Sequence, residues 1–151
     1  MDDEDLAGKV AELLDGRTMA TAESCTAGRI ASVMAAVEKA SEFLRGGLVV
    51  YQEEVKRELL GVAAASVLTA EAAAQMAAGV AGLLHADVAV ATSGVAGDTP
   101  EEGTPPGTVY IGTCVDGTAS ARTHRFDGEP ESVCDQARRQ ALRDLIDVLS
   151  G

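Results

Sequence analysis

Three short stretches concentrate residues able to do chemistry. The first is Ser24-Cys25-Thr26, three possible nucleophiles in one turn. Where a strand runs into a helix start, side chains stand exposed at the tip. The free backbone N–H groups there can hold an anion or a developing oxyanion. The same residues also have a plain structural use, because Ser and Thr cap helices and a lone Cys is usually a small buried side chain. The second stretch is Tyr51 with Lys56. If a strand closes at Tyr51 and a helix follows, Lys56 falls in the first two turns and shares a sheet edge with the tyrosine. A desolvated lysine loses its proton and serves as a base toward a hydroxyl, with the phenol relaying the proton or holding the amine. The plain alternative is a solvated Lys56 paired with Glu53 or Glu54.

The third stretch is Thr92-Ser93-Gly94-Val95-Ala96-Gly97, followed by Gly103-Thr104-Pro105-Pro106-Gly107-Thr108. Small residues after a buried strand let a ligand approach the backbone. Ser93, Gly94, Gly97 and Thr108 are therefore candidate substrate contacts, although Ser93 could equally satisfy a strand end and the rest be an ordinary turn. Glu23 either orients substrate or caps a helix N-terminus. Neither GxxxxGK[ST] nor GxGxxG occurs, so the glycines do not spell a P-loop or a dinucleotide fingerprint.

These residues need elements to hold them. Apolar spacing predicts helices over 5–14, 26–37, 53–60 and 69–84, and a last helix after Pro130. Strands are predicted over 18–22, 46–51, 87–92, 107–115 and 118–126, with Asp116-Gly117 as a two-residue hairpin turn. The run over 87–92 is nearly all apolar, as a strand covered on both faces would be. Helices alternate with strands and a hairpin plus helix finishes the chain, which predicts a layered α/β fold with a mixed sheet. The three chemistry-bearing stretches all follow strands, and ligands in such sheets bind outside the strands' carboxyl ends.

Composition narrows the function. The 151 residues carry 12 basic and 24 acidic side chains, a net charge of −12. That argues against general binding to nucleic acid or to an anionic membrane, both of which require positive charge. No apolar run reaches the roughly 18–20 residues of a membrane span, and the start Met1-Asp2-Asp3-Glu4-Asp5 is acidic where a secretory signal is basic. The expected setting is cytoplasmic. Apolar residues make up 46% and aromatics 3%, so the core must be built from Ala, Val, Leu and Ile. Cys25, Cys114 and Cys134 form no CxxC pair and His85 and His124 stand alone, so no metal site is expected. One domain, residues 1–151, is the expectation from length.

Taken together, the stretches resemble the CinA C-terminal domain family, whose stand-alone members include nicotinamide-nucleotide amidases. The resemblance lies in Thr21-Ala22-Glu23-Ser24-Cys25-Thr26-Ala27-Gly28, Gly46-Gly47-Leu48-Val49-Val50-Tyr51 continuing to Lys56, Leu60-Gly61-Val62, Thr92-Ser93-Gly94-Val95-Ala96-Gly97 and Gly107-Thr108-Val109. It implies a three-layer α/β/α sandwich with a mixed sheet, and self-association into a homo-oligomer. It also implies hydrolysis of the carboxamide of nicotinamide mononucleotide to nicotinate mononucleotide and ammonia, with no cofactor. The family's catalytic Ser, Tyr and Lys fall on Ser24, Tyr51 and Lys56, which makes Ser24 the nucleophile, Lys56 its base and Tyr51 a proton relay. Backbone N–H groups around Cys25, Thr26, Ala27 and Gly28 would hold the oxyanion.

The chain departs from the family pattern in several places. Ala27 stands where the family usually has glycine, and Gln52-Glu53 replaces a common Ser-Asn. The loop from Gly97 to Gly107 carries no basic residue, and Pro130, Cys134 and Asp135 lie where the family often has arginines. A phosphate is normally met by cations or backbone N–H groups. Two alternatives follow: the same machinery acting on a less anionic amide, and a catalytically silent nucleotide-binding or assembly module.

Overall fold

A computed structural model describes residues 1–151. The chain runs α1 (Asp3–Leu14), β1 (Met19–Glu23), α2 (Arg29–Ala35), β2 (Leu44–Val49), α3 (Glu53–Leu60), α4 (Ala70–Leu84), β3 (Val88–Gly94), β4 (Thr108–Val115), β5 (Thr118–Arg125) and α5 (Pro130–Ser150), with a single 3-10 turn at Ala40–Glu42. The five strands form one sheet in the order β2-β1-β3-β4-β5. β1 pairs in parallel with β2 and β3, while β3–β4 and β4–β5 are antiparallel. The sheet is therefore mixed, as the sequence predicts. No helix is long and apolar enough to cross a membrane.

Side-chain alternation splits the core into two layers. Met19, Val88, Val90, Val109 and Ile111 pack with α1, α2 and α5. On the opposite face Ala20, Ala22, Ala89 and Ala91 meet α3 and α4. Large residues thus fill one side of β1 and β3 and alanines the other. The small side explains the Ala-rich α4, because alanines on both surfaces bring helix and sheet backbones close. Gly112 of β4 lies directly beneath the Ala73 carbonyl of α4, and Gly79 of α4 lies against the Leu60 carbonyl at the end of α3.

The hairpin turn Asp116-Gly117 has both φ angles positive, at 49° and 87°, as a two-residue type I′ loop requires. Three predicted boundaries differ in ways that matter. α2 begins at Arg29 rather than near residue 26, because Ala27 (φ 47°) and Gly28 (φ 94°) are left-handed and cannot belong to a helix. β2 runs Leu44–Val49, earlier than the predicted 46–51, so Tyr51 lies beyond the strand. β3 extends to Gly94, which draws Ser93 and Gly94 out of the predicted loop into pairs with Tyr110 and Val109.

Candidate functional site

β1 lies between β2 and β3, so the chain leaves β1 toward one neighbour and later returns to the other. Such a strand-order switch opens a crevice at the carboxyl ends. Here the three chemistry-bearing stretches converge on a cavity of about 690 Å³. Ser24, Cys25, Tyr51, Lys56, Gly94 and Gly97 line it, together with Glu53, Glu101 and Glu102. A larger groove of about 1050 Å³ separates α1 from α2. Its charged groups, such as Glu4 and the Lys9–Glu12 pair, are exposed or half-exposed.

Lys56 is the unusual residue. It sits in the second turn of α3 yet is only 3% exposed. Its solvated alternative, an ion pair with Glu53 or Glu54, does not form; Glu53 pairs instead with Arg57. The Lys56 Nζ donates to Ser93 Oγ at 3.3 Å. Burial pushes its ammonium below the ordinary lysine value, opposed by Cys25 when ionised and by the charges of Glu101, Glu102 and Glu53. Tyr51 is 64% exposed at the cavity rim. Ser24 is buried at the cavity wall. Cys25 beside it has its thiol pushed up to about 12, by burial first and then by neighbouring Cys134. At neutral pH that sulfur stays a thiol, and the thiolate is the nucleophilic form.

The turn that presents Ser24 is held from below. Glu23 is fully buried and does not reach the cavity. Its Oε1 accepts from Thr26 Oγ1 at 2.7 Å and from the Ile30 N–H at 2.9 Å. Its Oε2 accepts from the Ala31 N–H at 2.9 Å and from Thr21 Oγ1 at 3.3 Å. Glu23 therefore caps α2 rather than orienting substrate, and it does so from outside the helix because Gly28 has no side chain to cap with. Thr26 gives its proton to Glu23 and so accepts from Thr92 Oγ1 at 2.9 Å. Thr92 Oγ1 in turn accepts the Ser24 N–H at 3.3 Å. A directed chain of hydrogen bonds thus runs from the Ser24 backbone to a buried carboxylate. Replacing Glu23 with Gln turns an acceptor oxygen into a donor facing a donor. It is expected to cost about 1–3 kcal/mol of stability, read as an earlier urea midpoint. An unchanged midpoint would show that the carboxylate is not what fastens the turn.

Other predicted contacts sit elsewhere. Thr26 is fully buried beneath the turn. Ala27 and Gly28 line a separate depression with Arg29 and Arg138, whose guanidinium groups both pair with Asp135. The Ala27 N–H is committed to the Ser24 carbonyl and the Arg29 N–H to the Thr26 carbonyl, and the Ile30 and Ala31 amides are taken by Glu23. Of the expected oxyanion donors this leaves the Cys25, Thr26 and Gly28 amides without a hydrogen bond within the protein, and of these residues only Cys25 lines the cavity. Ser93 is fully buried and contacts Lys56 instead of the cavity. Thr108 is buried at the base of the 95–107 loop with its hydroxyl unpaired, away from the cavity. Thr92 carries no role predicted from sequence, although a threonine closing an otherwise apolar strand is a visible signal. Glu101 and Glu102 were visible only as the acidic part of a loop without cations.

The whole chain resembles known proteins. A "CinA-like protein" of Mycolicibacterium gilvum is 40% identical over 95% of this chain, and a "putative competence-damage inducible protein" of Desulforamulus reducens is 36% identical over 99% of it. The chain spans 36% and 38% of the length of these two relatives. A solved CinA superfamily protein from Klebsiella pneumoniae superposes with a TM-score of 0.93 at 34% identity, each chain covered to 99%. The family model described as the CinA C-terminal domain matches residues 3–149, and this chain belongs to that family.

Proposed function

We propose that the protein hydrolyses the carboxamide of nicotinamide mononucleotide through a serine nucleophile and a lysine base. The observation that carries the reading is that Ser24 and the buried Lys56 line one cavity. Neutral Lys56 takes the Ser24 hydroxyl proton as Oγ bonds to the amide carbon. The Cys25 amide at the cavity wall stabilises the oxyanion. Protonated Lys56, with Tyr51 at the rim, returns the proton to the leaving nitrogen, and ammonia departs. Lys56 then activates a water that cleaves the ester and regenerates Ser24. The assay is ammonia release from the mononucleotide by purified protein, with Ser24→Ala as control. No release above that control would reject the reading.

The sign of the pH dependence follows from the burial of Lys56. The active form is the neutral amine, so kcat/KM rises with pH as Lys56 loses its proton. Desolvation lowers that pKa, so the rising limb is expected below the ordinary lysine range. A limb at the value of an exposed lysine would show that Lys56 is not the base.

A second reading has its own observation. Glu53, Glu101 and Glu102 line the cavity, where Lys56 is the one cationic side chain. Arg57 is turned away, bonded to the Val62, Ala64 and Ala65 carbonyls. This favours an amide with less negative charge than a mononucleotide. Comparing kcat/KM across a panel of amides decides between the two, and a clear preference for the mononucleotide rejects the second.

A further inference from the structure

We propose that Ser93 is a positioning residue that aims the Lys56 amine at Ser24. The proposal rests on the reading of Lys56 as the base, and it starts from where one proton must lie. The Ser93 hydroxyl is 2.8 Å from the Val67 carbonyl oxygen, which can only accept. Ser93 therefore donates there, and toward Lys56 Nζ at 3.3 Å its oxygen can only accept. A neutral lysine amine has two N–H bonds and one lone pair. With one N–H held by Ser93, the lone pair and the second N–H are what remain for the cavity that Lys56 shares with Ser24.

Ser93 and Thr92 are consecutive residues of β3 and so face opposite sides of the sheet. Thr92 fixes the Ser24 backbone and Ser93 fixes the Lys56 side chain. The end of one strand thus sets the spacing of nucleophile and base. The other groups that act on Lys56 cannot aim it in this way. Glu53 precedes it on α3, Glu101 and Glu102 lie in the loop after β3, and Cys25 follows Ser24; the carboxylates act on its charge, and none of the four hydrogen-bonds Nζ.

The test uses Ser93→Ala and Ser93→Thr, with circular dichroism to confirm folding. Loss of the acceptor removes a bond that favours the ammonium, so the Lys56 titration should move to lower pH in Ser93→Ala. The chain has three lysines, Lys9, Lys39 and Lys56, so carbon-13 labelling of lysine gives three resolvable NMR titrations. Only that of Lys56 should move. In the same variant kcat should fall roughly 10- to 100-fold from misalignment, with KM little changed and the rising limb of the pH profile shifted downward. Ser93→Thr keeps the hydroxyl and should restore most of the rate. An unmoved Lys56 titration, or a Lys56-dependent activity indifferent to Ser93→Ala, would overturn the proposal alone. Activity that survives Lys56→Ala would instead remove the reading beneath it.

Discussion

Ser24→Ala is expected to lower kcat for amide hydrolysis by on the order of 10⁴–10⁶-fold, the usual consequence of removing a nucleophile. Lys56→Ala should cost about 10²–10⁴-fold, the range for a general base. Cys25→Ala should leave most of the activity. The three residues line the same cavity, so the series separates chemistry from proximity. Cys25 is excluded by its environment: burial keeps it a thiol, and its backbone carbonyl, not its sulfur, holds the Cys134 thiol at 3.0 Å. Lys56 is the converse case. Burial disfavours its charge, and a buried amine without a full counter-ion is a liability to the fold. Lys56→Ala should therefore unfold no earlier than the parent while losing turnover. Full activity in both Ser24→Ala and Lys56→Ala, measured as ammonia release, would sink the mechanism.

The second large effect concerns stability. A Cβ on Gly112 would stand inside the Ala73 carbonyl of α4, and both partners are backbone within regular elements. Neither can yield locally, so the whole helix must lift from the sheet. Gly112→Ala is expected to cost about 3 kcal/mol or more, a fall in Tm of roughly 6–12 °C for a chain of this size. Gly82 provides the control, because it lies in the same helix with nothing within 4 Å of a Cβ. Gly82→Ala should stabilise by about 0.5–1 kcal/mol through the unfolded state. Thermal melts of the two variants should move in opposite directions. A Gly112→Ala protein melting with the parent would mean that α4 does not lie this close to the sheet.

The local patterns of the chain determined most of the elements. The period of the apolar residues placed α3 and α4, with Thr69 accepting the Ala72 N–H at 3.1 Å and Gly61 in the left-handed conformation at the end of α3. Asp116-Gly117 announced its hairpin, since positive φ at two successive positions restricts the choice of residues. The motifs identified Ser24, Tyr51 and Lys56 and the family. These features depend on neighbours in sequence, and the residues report them directly.

Only the tertiary structure decided what each site residue does. Glu23, Thr26, Ser93 and Thr108 resembled substrate contacts because they adjoin the motifs. Their roles depend on which side of β1, β3 or β4 they face and on partners far along the chain, such as Thr92 for Ser24 and Val67 for Ser93. The burial of Lys56 was equally hidden. A lysine four residues into an acidic, polar helix reads as solvated, and it is residues brought to it from elsewhere in the chain, Ser93 of β3 among them, that remove the water. Desolvation is a property of the whole assembled neighbourhood, so no local spacing encodes it, and on desolvation the chemistry of the amine depends.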